Sequence, residues 1–156
     1  MKVKRSLMVS CVAMALAVVA GVSGAAAQTS DNGAIRIEGA WVRETPIGGN
    51  SGGGYMWIVN SGSEPDRLVG AESSAAKSVQ LKQVSYVGDV MQTRDLENGI
   101  EIPANGEIRL RWDSSYLLFV DLKEPFAPRQ TVEASLNFEK AGTVKVQFGV
   151  RPRVDW

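Results

Sequence analysis

The side chains that most often carry out chemistry in proteins are almost absent from this sequence. Its 156 residues include no histidine and one cysteine, Cys11. Of its five methionines, three precede residue 15, so Met56 and Met91 are the only thioethers in the remainder of the chain. Histidine, cysteine and methionine are the usual ligands of soft metal ions, and histidine and cysteine supply many general bases and nucleophiles. The composition therefore leaves few candidates for either kind of site.

Carboxylates are the side chains left for acid–base catalysis. The candidates are Asp89, Asp95 and Asp121. No spacing among them pairs an acid with a base, and no histidine or cysteine could act with them. We therefore expect no catalytic residues and a protein that is not an enzyme.

The first 27 residues have the three parts of a secretory signal peptide. Basic residues at positions 2, 4 and 5 precede an apolar run over residues 7–22, and Ala25–Ala27 supply small residues for cleavage. We predict cleavage after Ala27 and export to the periplasm. Cys11 lies early in the apolar run and not at the cleavage point, so lipid attachment is not expected. No basic stop-transfer cluster follows, so we also expect no stable membrane insertion.

The charge balance argues against several classes of partner. The full chain has 17 basic and 17 acidic residues. Three of the basic residues and none of the acidic ones belong to the signal segment, so the remainder has a net charge of −3. That remainder, about 129 residues, suits one domain with its own core. Because it contains no block of like charge, we expect no nucleic-acid partner.

The elements that would position any site are short strands. Apolar and polar residues alternate over short runs, which glycine, proline, asparagine and aspartate interrupt. We count eight to ten such strands and no long amphipathic helix, linker or repeat. This spacing is typical of sandwiches and barrels. We therefore predict an all-β, Greek-key β-sandwich as a single domain after the signal peptide, with a small closed barrel as the alternative.

The domain boundaries follow from the same pattern. Residues 28–33 are polar and are expected to form a flexible N-terminus. The sandwich is predicted over residues 34–150, and residues 151–156 are predicted to form a C-terminal tail. Within the domain, the glycine-rich segment 48–54 is expected to be a flexible connection. The apolar residues 116–122 are expected to form a strand buried on both faces.

Several side chains could form a binding surface but are expected to pack or to face solvent instead. Trp57, Trp112 and Tyr116 could make an aromatic surface, and we expect them in the core and at its rim. Met91 is expected to fill a gap at the rim of the core. Lys82 is expected to be a solvated strand residue.

Six short elements occur in order along the chain with the spacing of a known family. They are Ala-Trp-Val-Arg-x-x-Pro, Tyr-Met-x-Ile-x-Asn, Asp-Arg-Leu-Val-Gly-Ala, Ile-Pro-Ala-x-Gly, Leu-Lys-x-Pro and Phe-x-x-Ala-Gly-x-Val-x-Val, beginning at Ala40, Tyr55, Asp66, Ile102, Leu122 and Phe138. On these elements the chain resembles the periplasmic copper chaperones called PCuAC over nearly all of its length after the signal segment. The resemblance implies a cupredoxin-like β-sandwich and the binding of Cu(I).

The resemblance also implies positions for the copper ligands. The family uses a histidine, a methionine eleven positions later, and a His-x-Met pair about twenty-two positions beyond that methionine. Transferred residue by residue, with one extra residue allowed in the loop at positions 97–99, these positions hold Lys82, Thr93, Tyr116 and Leu118. A lysine ammonium has no free lone pair, leucine has no donor atom, and hydroxyl oxygens are hard ligands that suit Cu(I) poorly. Met91 is the one soft donor nearby.

The resemblance and the four substitutions together set our expectation of function. We expect a periplasmic member of the family that has lost family-type Cu(I) binding, carries no cofactor, and acts as a non-catalytic binding or interaction module. Its partners by resemblance are copper-handling or oxidase-assembly proteins, and we expect a monomer. The alternative is a working copper chaperone that delivers Cu(I) for cytochrome c oxidase assembly through a non-standard site, built around Met91 or completed by a partner's ligands.

Overall fold

The computed structural model describes the backbone of residues 29–153 and the side chains of residues 33–153. The signal peptide predicted over residues 1–27, with its cleavage point, lies outside the described residues, as do residues 154–156 of the predicted tail. Between residues 29 and 153 there is no helix long and apolar enough to cross a membrane.

Eleven β-strands make up most of the described chain. They are β1 (Thr29–Asn32), β2 (Ile35–Arg43), β3 (Ser51–Asn60), β4 (Asp66–Glu72), β5 (Ala76–Val87), β6 (Val90–Asp95), β7 (Ile100–Ile102), β8 (Gly106–Leu110), β9 (Ser115–Leu122), β10 (Thr131–Phe138) and β11 (Gly142–Arg151).

Seven of the strands form a closed hydrogen-bonded ring. The order is β2-β11-β10-β4-β5-β9-β3, and β3 pairs in turn with β2. Strands β11 and β2 are parallel, whereas the other pairs of the ring are antiparallel. Strands β1, β6, β7 and β8 are added to β2, β5, β4 and β3 respectively. The prediction of an all-β, Greek-key sandwich is confirmed.

Alternating apolar side chains fill the space that the ring of strands encloses. The largest fully buried side chains include Ile35, Ile37, Ile58, Leu68, Ile102, Leu117, Phe119, Leu136 and Phe148. Phe119 makes edge-on ring contacts with Phe126 and Phe148, with centroids 5.5 and 5.9 Å apart. Burying side chains of this size contributes about 1.5–3 kcal/mol each. Shifting any of these strands by one residue would expose that set, so the core fixes which face of each strand points outward.

The second half of the glycine-rich segment 48–54 is part of a strand and not of the flexible connection that we expected. Residues 51–54 belong to β3 and pair with β9. A Cβ atom at Gly52 would lie 2.8 Å from the ring of Phe126, and one at Gly54 would lie 2.8 Å from the ring of Phe119. These glycines therefore permit close aromatic packing. The prediction was wrong because a run of glycines looks the same in sequence whether it serves flexibility or close approach.

The N-terminal segment also differs from its prediction. Residues 28–33 were expected to be flexible, but Thr29–Asn32 form β1 and pair antiparallel with β2, Asn32 opposite Ile35. Gly33, with φ +66°, lies at the reversal between the two strands. The polar composition concealed the strand because backbone hydrogen bonds to a neighbouring strand do not require apolar side chains.

A buried carboxylate fixes the start of β4. Asp66 accepts the backbone N–H groups of Arg67 and Lys140 at Oδ1, 2.7 and 2.9 Å away, and that of Ala141 at Oδ2, 2.9 Å away. Burial raises the pKa of Asp66, but these three donors and the charge of Lys140 outweigh it, so its pKa lies below the ordinary value. The ionised carboxylate thereby ties β4 to the turn between β10 and β11.

Candidate functional site

The candidate site begins with a row of three side chains on adjacent strands. Lys82 on β5 lies directly opposite Tyr116 on β9 and, on its other side, opposite Asp95 on β6. Residues that face each other in antiparallel strands place their side chains on the same face, with Cβ atoms about 5 Å apart. Lys82 is therefore the centre of a row that crosses β9, β5 and β6.

Thr93 and Leu118 lie on the same face as this row. Thr93 is two residues before Asp95 along β6, and Leu118 is two residues after Tyr116 along β9. Side chains two residues apart in a strand share a face. The structure thus brings all four positions assigned by spacing onto one face of three adjacent strands. That face is the outer one, because the alternate residue Leu117 is fully buried in the core.

Strand β9 is accordingly not buried on both faces. Leu117 and Phe119 are fully buried, whereas Tyr116, Leu118 and Val120 are only partly buried. The prediction was wrong because large apolar residues also occur on an outer face that neighbouring side chains partly cover.

Lys82 and Asp95 form an ion pair through Nζ and Oδ1. The side chain of Lys82 is only 16% exposed, whereas that of Asp95 is 59% exposed. The expectation that Lys82 is a solvated residue is therefore wrong, since its aliphatic stem is covered and its ammonium group has a partner. From the sequence, Asp95 was a candidate only for acid–base catalysis, and its role as the partner of Lys82 was not predicted.

The signal that could have revealed this pair is a two-residue hairpin loop. Val87 lies opposite Val90, so Gly88 and Asp89 form the loop between β5 and β6. Gly88 has φ +62°, and tight hairpin turns favour glycine for that reason. Counting outward from the loop by equal steps places position 82 opposite position 95.

An aromatic row continues from Tyr116 across β3 and β2. The ring centroids of Tyr116 and Tyr55 are 6.2 Å apart, and those of Tyr55 and Trp41 are 4.5 Å apart. The guanidinium carbon of Arg151 lies 5.1 Å from the centroid of Trp41, which is a cation–π contact. Burial raises the pKa of Tyr55, the charge of Arg43 opposes this rise and Tyr116 adds to it, so Tyr55 is a neutral phenol near neutral pH.

The other two aromatic residues considered in the sequence lie elsewhere. Trp112 is 52% exposed, so the expectation that it packs in the core or at its rim is wrong. Trp57 is partly buried, with the guanidinium carbon of Arg109 4.1 Å from its ring centroid. Within residues 33–153, no ring contact joins either of them to Tyr116. The aromatic surface at the site therefore consists of Trp41, Tyr55 and Tyr116.

Met91 is exposed and does not fill a gap in the core. Its side chain is 55% exposed, and it lies opposite Tyr86, which is 56% exposed. Every residue of β6 is exposed, because this strand is attached to the ring only through β5. The sequence prediction was wrong since the hairpin extends beyond the sandwich. Met91 lies on the same face as Thr93, two residues away.

The donor set of this face does not fit Cu(I). The ammonium of Lys82 is occupied by Asp95, and Leu118 offers no donor atom. The hydroxyl of Thr93 and the phenol oxygen of Tyr116 are hard ligands, which suit Cu(I) poorly. Within residues 33–153, whose side chains are described, no three histidine, cysteine, aspartate or glutamate side chains come together in a way that could hold a metal ion.

The candidate catalytic carboxylates do not come together either. Asp95 is engaged with Lys82, and Asp89 lies in the exposed hairpin loop. Asp121 is 3.9 Å from the ammonium of Lys77 and accepts a hydrogen bond from Asn50 at 3.3 Å. The three carboxylates therefore lie apart from one another. For binding, the outer face that carries Lys82 and Tyr116 offers aromatic rings, an ion pair and guanidinium groups.

A family and a curated relative match this chain by sequence. The sequence model of the family described as "Putative lipoprotein LpqE-like" matches residues 35–150. The chain is 30% identical over 129 residues to "Putative lipoprotein Lxx21020" of Leifsonia xyli subsp. xyli, a match that covers 81% of this chain and 76% of the relative. Both descriptions contain the word lipoprotein. Cys11 lies outside the described residues, and the absence of lipid attachment stays a prediction.

Solved structures of PCuAC domains share the fold. The copper-bound PCuAC domain from PmoF2 is 29% identical, with a TM-score of 0.67 over 80% of this chain and 98% of that domain. The Cu(I) form of DR1885 from Deinococcus radiodurans is 25% identical, with a TM-score of 0.59 over 74% of this chain and 77% of that one. The apo PCuAC domain from PmoF1, at 23% identity and a TM-score of 0.69, supports the fold alone. The resemblance drawn from the sequence, and its cupredoxin-like sandwich, are confirmed.

Proposed function

The chain belongs to the LpqE-like family and has the fold of PCuAC domains, and from this premise we propose that it is a non-catalytic binding module without a family-type Cu(I) site. One observation carries the proposal. The four positions that spacing assigns to the copper ligands share one face and hold Lys82, Thr93, Tyr116 and Leu118, with the ammonium of Lys82 paired to Asp95. Neither a thioether nor an imidazole is present among these four side chains.

The location and the partners are part of the same proposal. A signal peptide over residues 1–27 would export the domain, and the lipoprotein names of its family and relative support a place outside the cytoplasmic membrane. The periplasm is the compartment that we propose. The copper-bound and Cu(I) forms of the structural neighbours make copper-handling or oxidase-assembly proteins the partners to test first.

A Cu(I) titration of residues 28–156 against a chromogenic Cu(I) chelator tests the loss of the site. The expected result is that the protein removes no copper from the chelator, because its four candidate side chains offer no soft donor. One tightly bound Cu(I) per chain would overturn the proposal.

The second candidate function is the delivery of Cu(I) for cytochrome c oxidase assembly through a non-standard site. The exposure of Met91 on the candidate face favours it, since a thioether open to solvent can be a ligand. Should wild-type protein bind Cu(I), loss of binding in Met91→Gln and its retention in the control Met56→Leu would establish this function. Met56 is only 4% exposed, so the control changes a thioether that lies away from solvent.

A further inference from the structure

Two arginines lie side by side at the end of the aromatic row. In the parallel pair of β11 and β2, Arg151 is opposite Arg43 and Gly149 is opposite Trp41. Residues two apart in a strand share a face, so the side chains of both arginines project from the face that carries Trp41. The contact of the Arg151 guanidinium with the Trp41 ring agrees with this placement. The row therefore ends in two adjacent positive charges.

Within the part of the chain whose side chains are described, no carboxylate forms an ion pair with either arginine. Glu44 follows Arg43 in sequence and forms no ion pair with either arginine; its Oε1 accepts the backbone N–H of Arg153 at 2.8 Å. Like charges directly opposite each other on neighbouring strands destabilise a sheet. Because Arg43 and Arg151 do not stabilise the sheet by lying opposite each other, the binding of an external ligand explains their placement better.

Open space adjoins the two arginines. Gly149 has no side chain, and a Cβ atom built on it would meet no other atom within 4 Å. On the side of Trp41 that faces β11, Gly149 therefore contributes no side chain, and the guanidinium of Arg151 is in contact with the ring. Aromatic surface next to paired guanidinium groups can receive an apolar side chain beside a carboxylate.

We propose that Arg43, Arg151, Trp41 and Gly149, here called the arginine surface, bind an acidic segment of a partner protein. Carboxylates of that segment pair with the two guanidinium forks, and a neighbouring apolar or aromatic side chain packs on the indole. Charge complementarity selects this occupant, because the uncompensated charges of the surface are all positive. The inference rests on the proposed function as a binding module and names the chemistry of its partner.

Peptide binding followed by NMR tests this inference. The probe is acetyl-Glu-Phe-Asp-Glu-amide, and its uncharged counterpart is acetyl-Gln-Phe-Asn-Gln-amide. We expect saturable binding of the acidic peptide that shifts the indole N–H signal of Trp41, identified by its absence in Trp41→Phe. The double variant Arg43→Gln/Arg151→Gln should weaken binding at least tenfold. The control Arg94→Gln/Lys145→Gln removes the same charge elsewhere and should bind as the wild type does, and thermal unfolding of both confirms that they fold.

Several results would overturn the inference. One is the absence of saturable binding by the wild type, and another is equal binding of the uncharged peptide. Equal weakening in both double variants would mean that net charge alone attracts the peptide. If the arginine surface instead mediates a dimer that Arg43→Gln/Arg151→Gln dissociates, a second copy is the occupant and the inference is wrong. None of these results depends on whether the protein binds Cu(I), so this inference and the proposed function fail separately.

Discussion

Asp66 and Lys82 are two shielded charges that the protein holds in different ways. Asp66 is buried and accepts three backbone N–H groups, two of them from the turn between β10 and β11. Lys82 is shielded on the outer face and is paired with one side chain, Asp95, on a fully exposed strand. Because the partners of Asp66 are backbone groups, their positions are set by the course of the chain. Side-chain partners leave the Lys82 region open to substitution without loss of the sandwich.

The contrast explains how one scaffold can keep its shape while its chemistry changes. The turn at Asp66 would be damaged by almost any substitution there, since three donors depend on one carboxylate. On the outer face, β5, β6 and β9 are paired through their backbones, so the side chains that project from them can change with little effect on the pairing. Side chains at positions such as 82 and 116 can therefore change while the strands stay in place.

The largest effect is expected from Asp66→Ala. This change leaves three partly buried backbone N–H groups without their acceptor and should lower the free energy of unfolding by about 2–4 kcal/mol, since one fully buried group costs about 1–3 kcal/mol. Urea unfolding followed by tryptophan fluorescence measures it. Asp66→Asn keeps an Oδ1 acceptor for two of the donors, so its free energy of unfolding should fall by less. Ordinary surface substitutions change the free energy of unfolding by less than about 0.5 kcal/mol. If Asp66→Ala lowers it by no more than that, Asp66 and Lys82 do not differ in the way described.

The pH dependence of stability is expected to follow Asp66. Its pKa is lower in the folded protein than in the unfolded chain, where it is about 3.9. The ionised group therefore adds stability above that pH, and this contribution disappears as the pH falls through the folded pKa. The difference in unfolding free energy between wild type and Asp66→Asn should be largest near neutral pH and should narrow in acid. A difference that stays constant down to about pH 2 would contradict this assignment.

The smallest effect is expected from the outer ion pair. Asp95→Asn leaves the ammonium of Lys82 without its carboxylate, but the carboxylate is 59% exposed, so the loss should be about 0.5–1 kcal/mol. Lys82→Met keeps the length and apolar stem of the side chain, so it should change the free energy of unfolding very little. The same urea unfolding measures both variants. A loss in either that matches that of Asp66→Ala would show that the outer face is as integral to the fold as the Asp66 turn.

The sequence predicted the strands of the sandwich more successfully than the contacts of the candidate face. Alternation at residues such as Val144 and Val146 reports burial directly, so the all-β fold could be predicted. The assignment of four positions to the copper ligands by spacing stays a prediction, and the structure shows only that the four share one face. The partnership of Lys82 with Asp95 follows from the two-residue loop only if β5 and β6 are recognised as a hairpin. The exposure of Met91 and the adjacency of Arg43 and Arg151 depend on which strands pair and in what register, which composition and short-range alternation do not determine.

Restoring the missing donors tests the central claim most directly. The variant Lys82→His/Thr93→Met/Tyr116→His/Leu118→Met places two imidazoles and two thioethers on the outer face that these four positions share, with the two imidazoles directly opposite each other on β5 and β9. Wild type and variant are titrated side by side with Cu(I) against the same chelator. We predict that the variant takes up one Cu(I) per chain and that the wild type takes up none. Tight binding by the wild type, or no binding by a folded variant, would contradict the account.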